Sequence, residues 1–177
     1  MISGSIDDTI AYLDSVHRRT MRVVECIPPD QLEWRPAAGM FSLGDLVRHL
    51  AAINRYMFVE IACGRSSAYP GHGEELATGK DAVLAYKERL HTEGLRLLQE
   101  LTPDRWDSHC TTPEGAKIRV WKWIRAMVEH ENHHRGQVYS YLAQLRVPTP
   151  PIFGLTSEQV RANSASTTTA GEVMASD

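Results

Sequence analysis

Two histidines four residues apart, His130 and His134, stand in the run His130-Glu131-Asn132-His133-His134-Arg135-Gly136-Gln137. On a helix this spacing places both imidazoles on one face, one above the other. The face is apolar, because Trp123, Ile124, Met127, Val138, Tyr141, Leu142 and Leu145 continue the same stripe at helical spacing. Imidazoles set among apolar side chains need polar partners, and a divalent cation satisfies both at once. A third histidine, His49, lies far upstream on or beside another apolar stripe, one turn from Leu46 and Ile53. Three neutral imidazoles leave coordination positions open, which marks a catalytic metal site rather than a structural one. Zinc, nickel, copper, iron and cobalt all suit such a donor set, and zinc or nickel is the expected ion.

The same run also spells His-Glu-x-x-His, the zinc-protease pattern. That chemistry needs a further ligand on the C-terminal side, yet the first His, Asp or Glu after His134 is Glu158, beyond Pro148, Pro150 and Pro151. Peptidase chemistry is therefore disfavoured. His133 lies about 100° around the helix from the ligand face and points to a helix boundary or solvent. His17, His72, His91 and His109 have no partner at useful spacing; the turn Pro70-Gly71-His72-Gly73 leaves a place near the site mouth as the alternative for His72. Glu131 reads as solvent-facing, with Arg135 as its i, i+4 partner. Gly136 in mid-helix costs about 1 kcal/mol relative to alanine, which close helix packing or a subunit contact would offset. Gln137 reads as a polar contact between helices.

Four segments carry the periodicity that would position these residues. The first runs from Ser5 to Cys26, with Ile6, Ile10, Leu13, Val16, Thr20 and Val23 on one side, and Pro28-Pro29 ends it. Leu32 to Met40 reads as a loop. Ser42 then looks like an N-cap, with Asp45 in the acidic place of a capping box. The second helix extends to about Ala62, with Leu46, Leu50, Ile53, Met57 and Ile61 as its stripe. Gly64 to Gly79 is a long loop, and Lys80 to Leu101 is the third helix, with Val83, Leu84, Leu90, Leu97, Leu98 and Leu101 inward. Pro103 to Lys117 is a polar connection; the fourth helix starts near Val120 and stops before Pro148. Nothing insists on a sheet. The expected fold is an all-α four-helix bundle over residues 1–155, followed by a Ser/Thr/Ala-rich tail over 156–177.

The chain of 177 residues is long enough for one ordinary domain with a hydrophobic core. Its net charge of -3, pI near 6.2 and lack of a basic cluster argue against a nucleic-acid partner. Met1 to Asp14 lacks the pattern of a signal peptide, and no apolar run approaches the ~20 residues that span a membrane. Cys26, Cys63 and Cys110 are odd in number and without metal-type spacing, which fits a reducing cytoplasm. None is placed to act as a nucleophile. These features point to a cytoplasmic protein acting on a small-molecule substrate.

Three pieces together resemble the DinB-like superfamily of metal-binding four-helix bundles. They are Phe41-Ser42-Leu43-Gly44-Asp45-Leu46-Val47-Arg48-His49-Leu50, the His130-x-x-x-His134-Arg135-Gly136-Gln137 run, and the order of four helices, over roughly residues 5–145. The resemblance implies that His49, His130 and His134 correspond to the family's three metal ligands, with one divalent ion per chain. It also implies a homodimer formed by helix packing. Members with known activities transfer low-molecular-weight thiols such as bacillithiol or glutathione, or use mycothiol as a cofactor in isomerisation. The expectation is thus a metal-dependent thiol S-transferase, in which the cation lowers the pKa of a bound thiol that then attacks an electrophile. Activation of water, giving a hydrolase, is one alternative. A non-enzymatic, stress-related metal-binding bundle is the other.

Overall fold

The computed structural model describes residues 5–164. Its elements are α1 (Ile6–Val24), α2 (Leu43–Ile53), a π-turn (Asn54–Val59), α3 (Glu60–Ala62), α4 (Lys80–Gln99), α5 (Pro103–Asp107), β1 (His109–Thr111), β2 (Lys117–Arg119) and α6 (Val120–Gln144). The segment from α2 through the π-turn to α3 is continuous, so four long rods form the bundle. In it, α1 packs on α4 and α6, and α2 packs on α4 and α6. Ser42 caps α2 as its sequence suggests: its Oγ accepts from the Asp45 amide at 2.9 Å while Asp45 Oδ2 accepts from the Ser42 amide at 2.9 Å. Ser5 and Asp8 repeat the device at α1.

Two features depart from the sequence reading. The polar connection after α5 contains an antiparallel hairpin, with Cys110 opposite Ile118. Its inward residues, Cys110 and Ile118, pack on the core beside the start of α6, and Gly115 makes the turn at φ +88. A three-residue strand is too short for its alternation to stand out. The second correction concerns the stripe of the second helix. Met57, expected inside, is only half-buried, and Phe58 takes the core position at 5% exposure. The π-turn accommodates one extra residue, so the face that passes through Ile53 emerges at i+5 instead of i+4. Beyond α6, residues 157–164 wind into a short exposed helix; the remainder of the Ser/Thr/Ala-rich tail lies outside the described residues.

The apolar interior is divided. One cluster gathers Val16, Val59, Leu98 and Ile124; another gathers Val24, Leu43, Leu46 and Leu142. The buried polar residues His17 and Thr20 of α1, Lys87 of α4, and Glu131 and Arg135 of α6 occupy the helix turns between them. Lys87 Nζ donates to Glu131 Oε1 at 3.2 Å and Asn54 Nδ2 donates to Glu131 Oε2 at 2.6 Å. Burial alone would push the Glu131 carboxyl up, but Lys87 overrides it and holds the group far below the usual carboxylate range. His17 and His91, unpaired in the sequence reading, stack on each other across α1 and α4, with ring centroids 3.6 Å apart. His17 Nε2 meets Glu88 at 2.8 Å and His91 Nε2 meets Asp14 at 3.2 Å.

A fully buried arginine holds the loops around α2. Arg48 donates to both Glu33 oxygens and to Asp45 Oδ1, each at 2.9 Å, and to the carbonyls of His72 at 2.9 Å and Ala77 at 3.1 Å. One side chain thereby binds the segment before α2 and the loop before α4 to the helix that carries His49. Replacing it strands carboxylates that have lost their counter-charge. Arg48→Leu should lower stability by about 3 kcal/mol in urea unfolding. Arg35→Leu, which loses only a 3.5 Å ion pair at the surface, should cost less than about 1 kcal/mol.

Burial, followed by the nearby Lys87 and His91, pushes His17 down to about 4. Such a histidine takes up a proton on unfolding, so its contribution is complete above pH 6.5 and drains as the pH falls toward 4. For His17 alone the loss is on the order of 3 kcal/mol. Urea midpoints should therefore fall from pH 7 to pH 4, and His17→Gln should flatten the fall; an identical slope in the variant would refute the assignment.

Candidate metal centre

His49 projects from α2 one turn before the π-turn, and His130 and His134 project from successive turns of α6. Their ligand atoms all lie within 4.8 Å of one another. His130 Nε2 sits in the middle, 3.1 Å from His49 Nε2 and 3.1 Å from His134 Nε2. Nitrogens held 2.0–2.1 Å from a tetrahedral ion are about 3.3–3.4 Å apart, so to share one the two 3.1 Å separations at His130 would open slightly while His49 and His134 adjust toward the same point.

The outward nitrogens decide which tautomer is present. His134 Nδ1 lies 2.6 Å from Gln137 Oε1. An amide oxygen only accepts, so His134 carries its proton on Nδ1 and turns a bare Nε2 inward. His49 Nδ1 lies 2.7 Å from the Tyr69 hydroxyl. His130 Nδ1 is buried with no hydrogen-bond partner. A single proton on His130 Nε2 can serve only one of its two 3.1 Å neighbours fully, whereas a divalent cation among the three can take a lone pair from each. Burial, followed by its histidine neighbours, pushes His49 down to about 3. Burial and His134 push His130 to about 4. Burial lowers His134 as well, against the opposing pull of Gln137. All three are therefore neutral at pH 7, the form that can bind a metal.

Aromatic rings wall the site. The Phe41 ring lies 5.4 Å from His49 and 4.1 Å from His72, and Phe58 lies 5.7 Å from His130. His72, for which the sequence left a place near the mouth, stands 6.2 Å from His49, with its Nδ1 3.4 Å from the Tyr69 hydroxyl. His133 is exposed, as its position on the helix implied.

Several neighbours of these histidines differ from their sequence reading. Glu131 is buried on Lys87 and Asn54 rather than facing solvent, because the bundle interior continues around α6. Arg135 donates to Asn132 at 2.9 Å and not to Glu131, whose oxygens are already engaged. Gln137 serves His134 on its own helix rather than a contact between helices. Gly136 is exposed, and a Cβ there would meet nothing within 4 Å, so no packing inside this chain explains it. Tyr69 was missed altogether, since a tyrosine in a loop of Gly, Ser and Pro carries no periodic signal. The thiols of Cys63 and Cys110 are pushed up by burial, which disfavours their thiolate forms.

The DinB superfamily model matches residues 6–138. The chain is 26% identical over 141 residues to the protein YjoA of Bacillus subtilis (strain 168), spanning 77% of this chain and 89% of that one. A crystal structure of that DinB-like protein superposes with a TM-score of 0.69, covering 84% of this chain and 99% of the other at 20% identity. YfiT from Bacillus subtilis, described as a probable metal-dependent hydrolase with an unusual four-helix bundle topology, gives a TM-score of 0.62 at 20% identity, over 84% and 93% of the two chains. The mycothiol-dependent maleylpyruvate isomerase gives 0.62 at 14% identity, over 76% of this chain and 61% of its own. With the superfamily pattern running through three quarters of its length and the same bundle recurring in these structures, the chain belongs to the DinB superfamily.

Proposed function

We propose that this protein is a divalent-metal-dependent enzyme that transfers a low-molecular-weight thiol to a small electrophile. His49, His130 and His134 are its ligands, and zinc or nickel is its ion. The observation that carries the reading is the convergence of three Nε2 atoms while two of the three Nδ1 atoms are engaged outward. A cation held there supplies Lewis acidity, which lowers the pKa of a thiol from its ordinary value near 8.5. The chain's own residues hold and screen the site. Gln137 and Tyr69 orient two imidazoles, and Phe41 and Phe58 keep water from the flanks. The protein offers no activated thiol of its own, so the nucleophile is a cosubstrate of the bacillithiol, mycothiol or glutathione type. The likeness to a mycothiol-dependent isomerase supports that choice. A homodimer formed by helix packing is part of the same reading.

A second reading is favoured by the likeness to YfiT: with water as the nucleophile, the same centre is a hydrolase. Metal analysis of untagged protein comes first. The wild type should carry about one divalent ion per chain, and the His49→Ala, His130→Ala, His134→Ala triple variant should carry none. Metal-loaded protein should then consume thiol in the presence of an alkyl halide or epoxide. Turnover of esters or amides without thiol would select the hydrolase instead, and bound metal with neither activity would leave a non-enzymatic metal-binding bundle. His134→Ala should abolish metal and turnover while retaining the helical circular dichroism. A severe fall in Tm would instead make the metal structural.

A further inference from the structure

We propose that Tyr69 is the positioning residue for His49, as the centre of a directional hydrogen-bond relay from that ligand through the tyrosine hydroxyl to His72. The inference rests on the metal reading above. A His49 that offers its Nε2 lone pair to a cation has its one ring proton on Nδ1. That N–H donates to Tyr69 Oη across 2.7 Å. The phenol, having accepted, sends its own proton to an acceptor, and His72 Nδ1 is 3.4 Å away. His72 must then be bare at Nδ1 and carry its proton on Nε2. Metal at one end of the relay thereby selects the tautomer at the other.

The loop that bears this relay is fastened at both sides of Tyr69. Just before it, the Ala68 amide donates to the Tyr56 carbonyl in the π-turn at 2.8 Å. Just after it, the His72 carbonyl accepts from Arg48 Nε at 2.9 Å, and the His72 ring lies against Phe41. Gly71 turns the chain between these anchors at φ +100, a conformation that side chains other than glycine rarely adopt. The three ligands are consequently supported in different ways. Gln137 supports His134 from the same helix, and His130 has no outer partner. Among the described residues only His49 is supported from outside the helices, so Tyr69 joins the centre to the loop before α4.

Tyr69→Phe keeps the ring and removes the hydroxyl. Zinc affinity, measured by competition with a chromophoric chelator, should weaken by about 10-fold or more. The visible bands of the cobalt-loaded protein should shift, while the urea midpoint of the metal-free protein should match that of wild type. Long-range proton–nitrogen NMR of zinc-loaded wild type should show His72 protonated on Nε2, and Tyr69→Phe should give a mixture of tautomers. The wild-type spectrum needs no variant, so the test survives a variant that fails to fold. Equal zinc affinity in Tyr69→Phe and wild type, or His72 protonated on Nδ1 in the zinc form, would overturn the relay and leave the metal reading intact. Wild type that takes up neither zinc, nickel nor cobalt would overturn both.

Discussion

The buried pair Lys87–Glu131 is the interaction on which the rest of this structure depends. Side chains exposed by only 2% and 7% leave both charges without water, a cost of several kcal/mol for each ion unless partners compensate. Compensation comes from their mutual attraction and from the Asn54 amide. These groups reside on α4, α6 and the π-turn, so three of the four rods of the bundle meet at one carboxylate. Glu131 directly follows His130, and each residue advances about 100° around a helix. Seating Glu131 on Lys87 therefore fixes the rotation of α6, and with it the direction in which His130 and His134 point.

The bundle was legible because its stripes are long. The periodicity of α1, α4 and α6 survives in the buried residues Leu13, Val16, Val83, Leu90, Ile124 and Leu142, and the capping box at Ser42 forms as its spacing required. The juxtaposition of His49 with His130 and His134 was legible as well, since two stripes facing one core leave little choice of where their histidines meet. Several of the features that sequence reading missed depend on partners distant in the chain. Lys87 looks like an ordinary surface lysine until Glu131 is opposite it. His17 and His91 are 74 residues apart and become a pair only through the packing of α1 on α4. Tyr69 acquires its role from the path of a loop that has no periodicity at all.

The centre also shows how a four-helix bundle reconciles a polar site with a stable interior. Apolar clusters lie to either side of the polar level, one around Ile124 and the other around Leu142. Each supplies its own hydrophobic stabilisation. The histidines, the ion pair and their hydrogen-bonding neighbours are thus confined to a few turns in the middle. Substitutions there exchange local electrostatics and leave most of the buried apolar surface intact.

The π-turn gives the helix that carries His49 something like a reading frame. Upstream of Asn54 the inward face includes Leu46, Leu50 and Ile53; downstream it has advanced by one residue to Phe58. Within that interval the Phe58 carbonyl accepts from the Trp123 indole and the Tyr56 carbonyl accepts from the Ala68 amide. Loss of a single residue here would restore an unbroken α-helix with Phe58 still on the inward face at i+4, but without the carbonyls that the π-turn frees for those two contacts. Related chains that keep these two carbonyl contacts should therefore also keep the number of residues between His49 and Phe58.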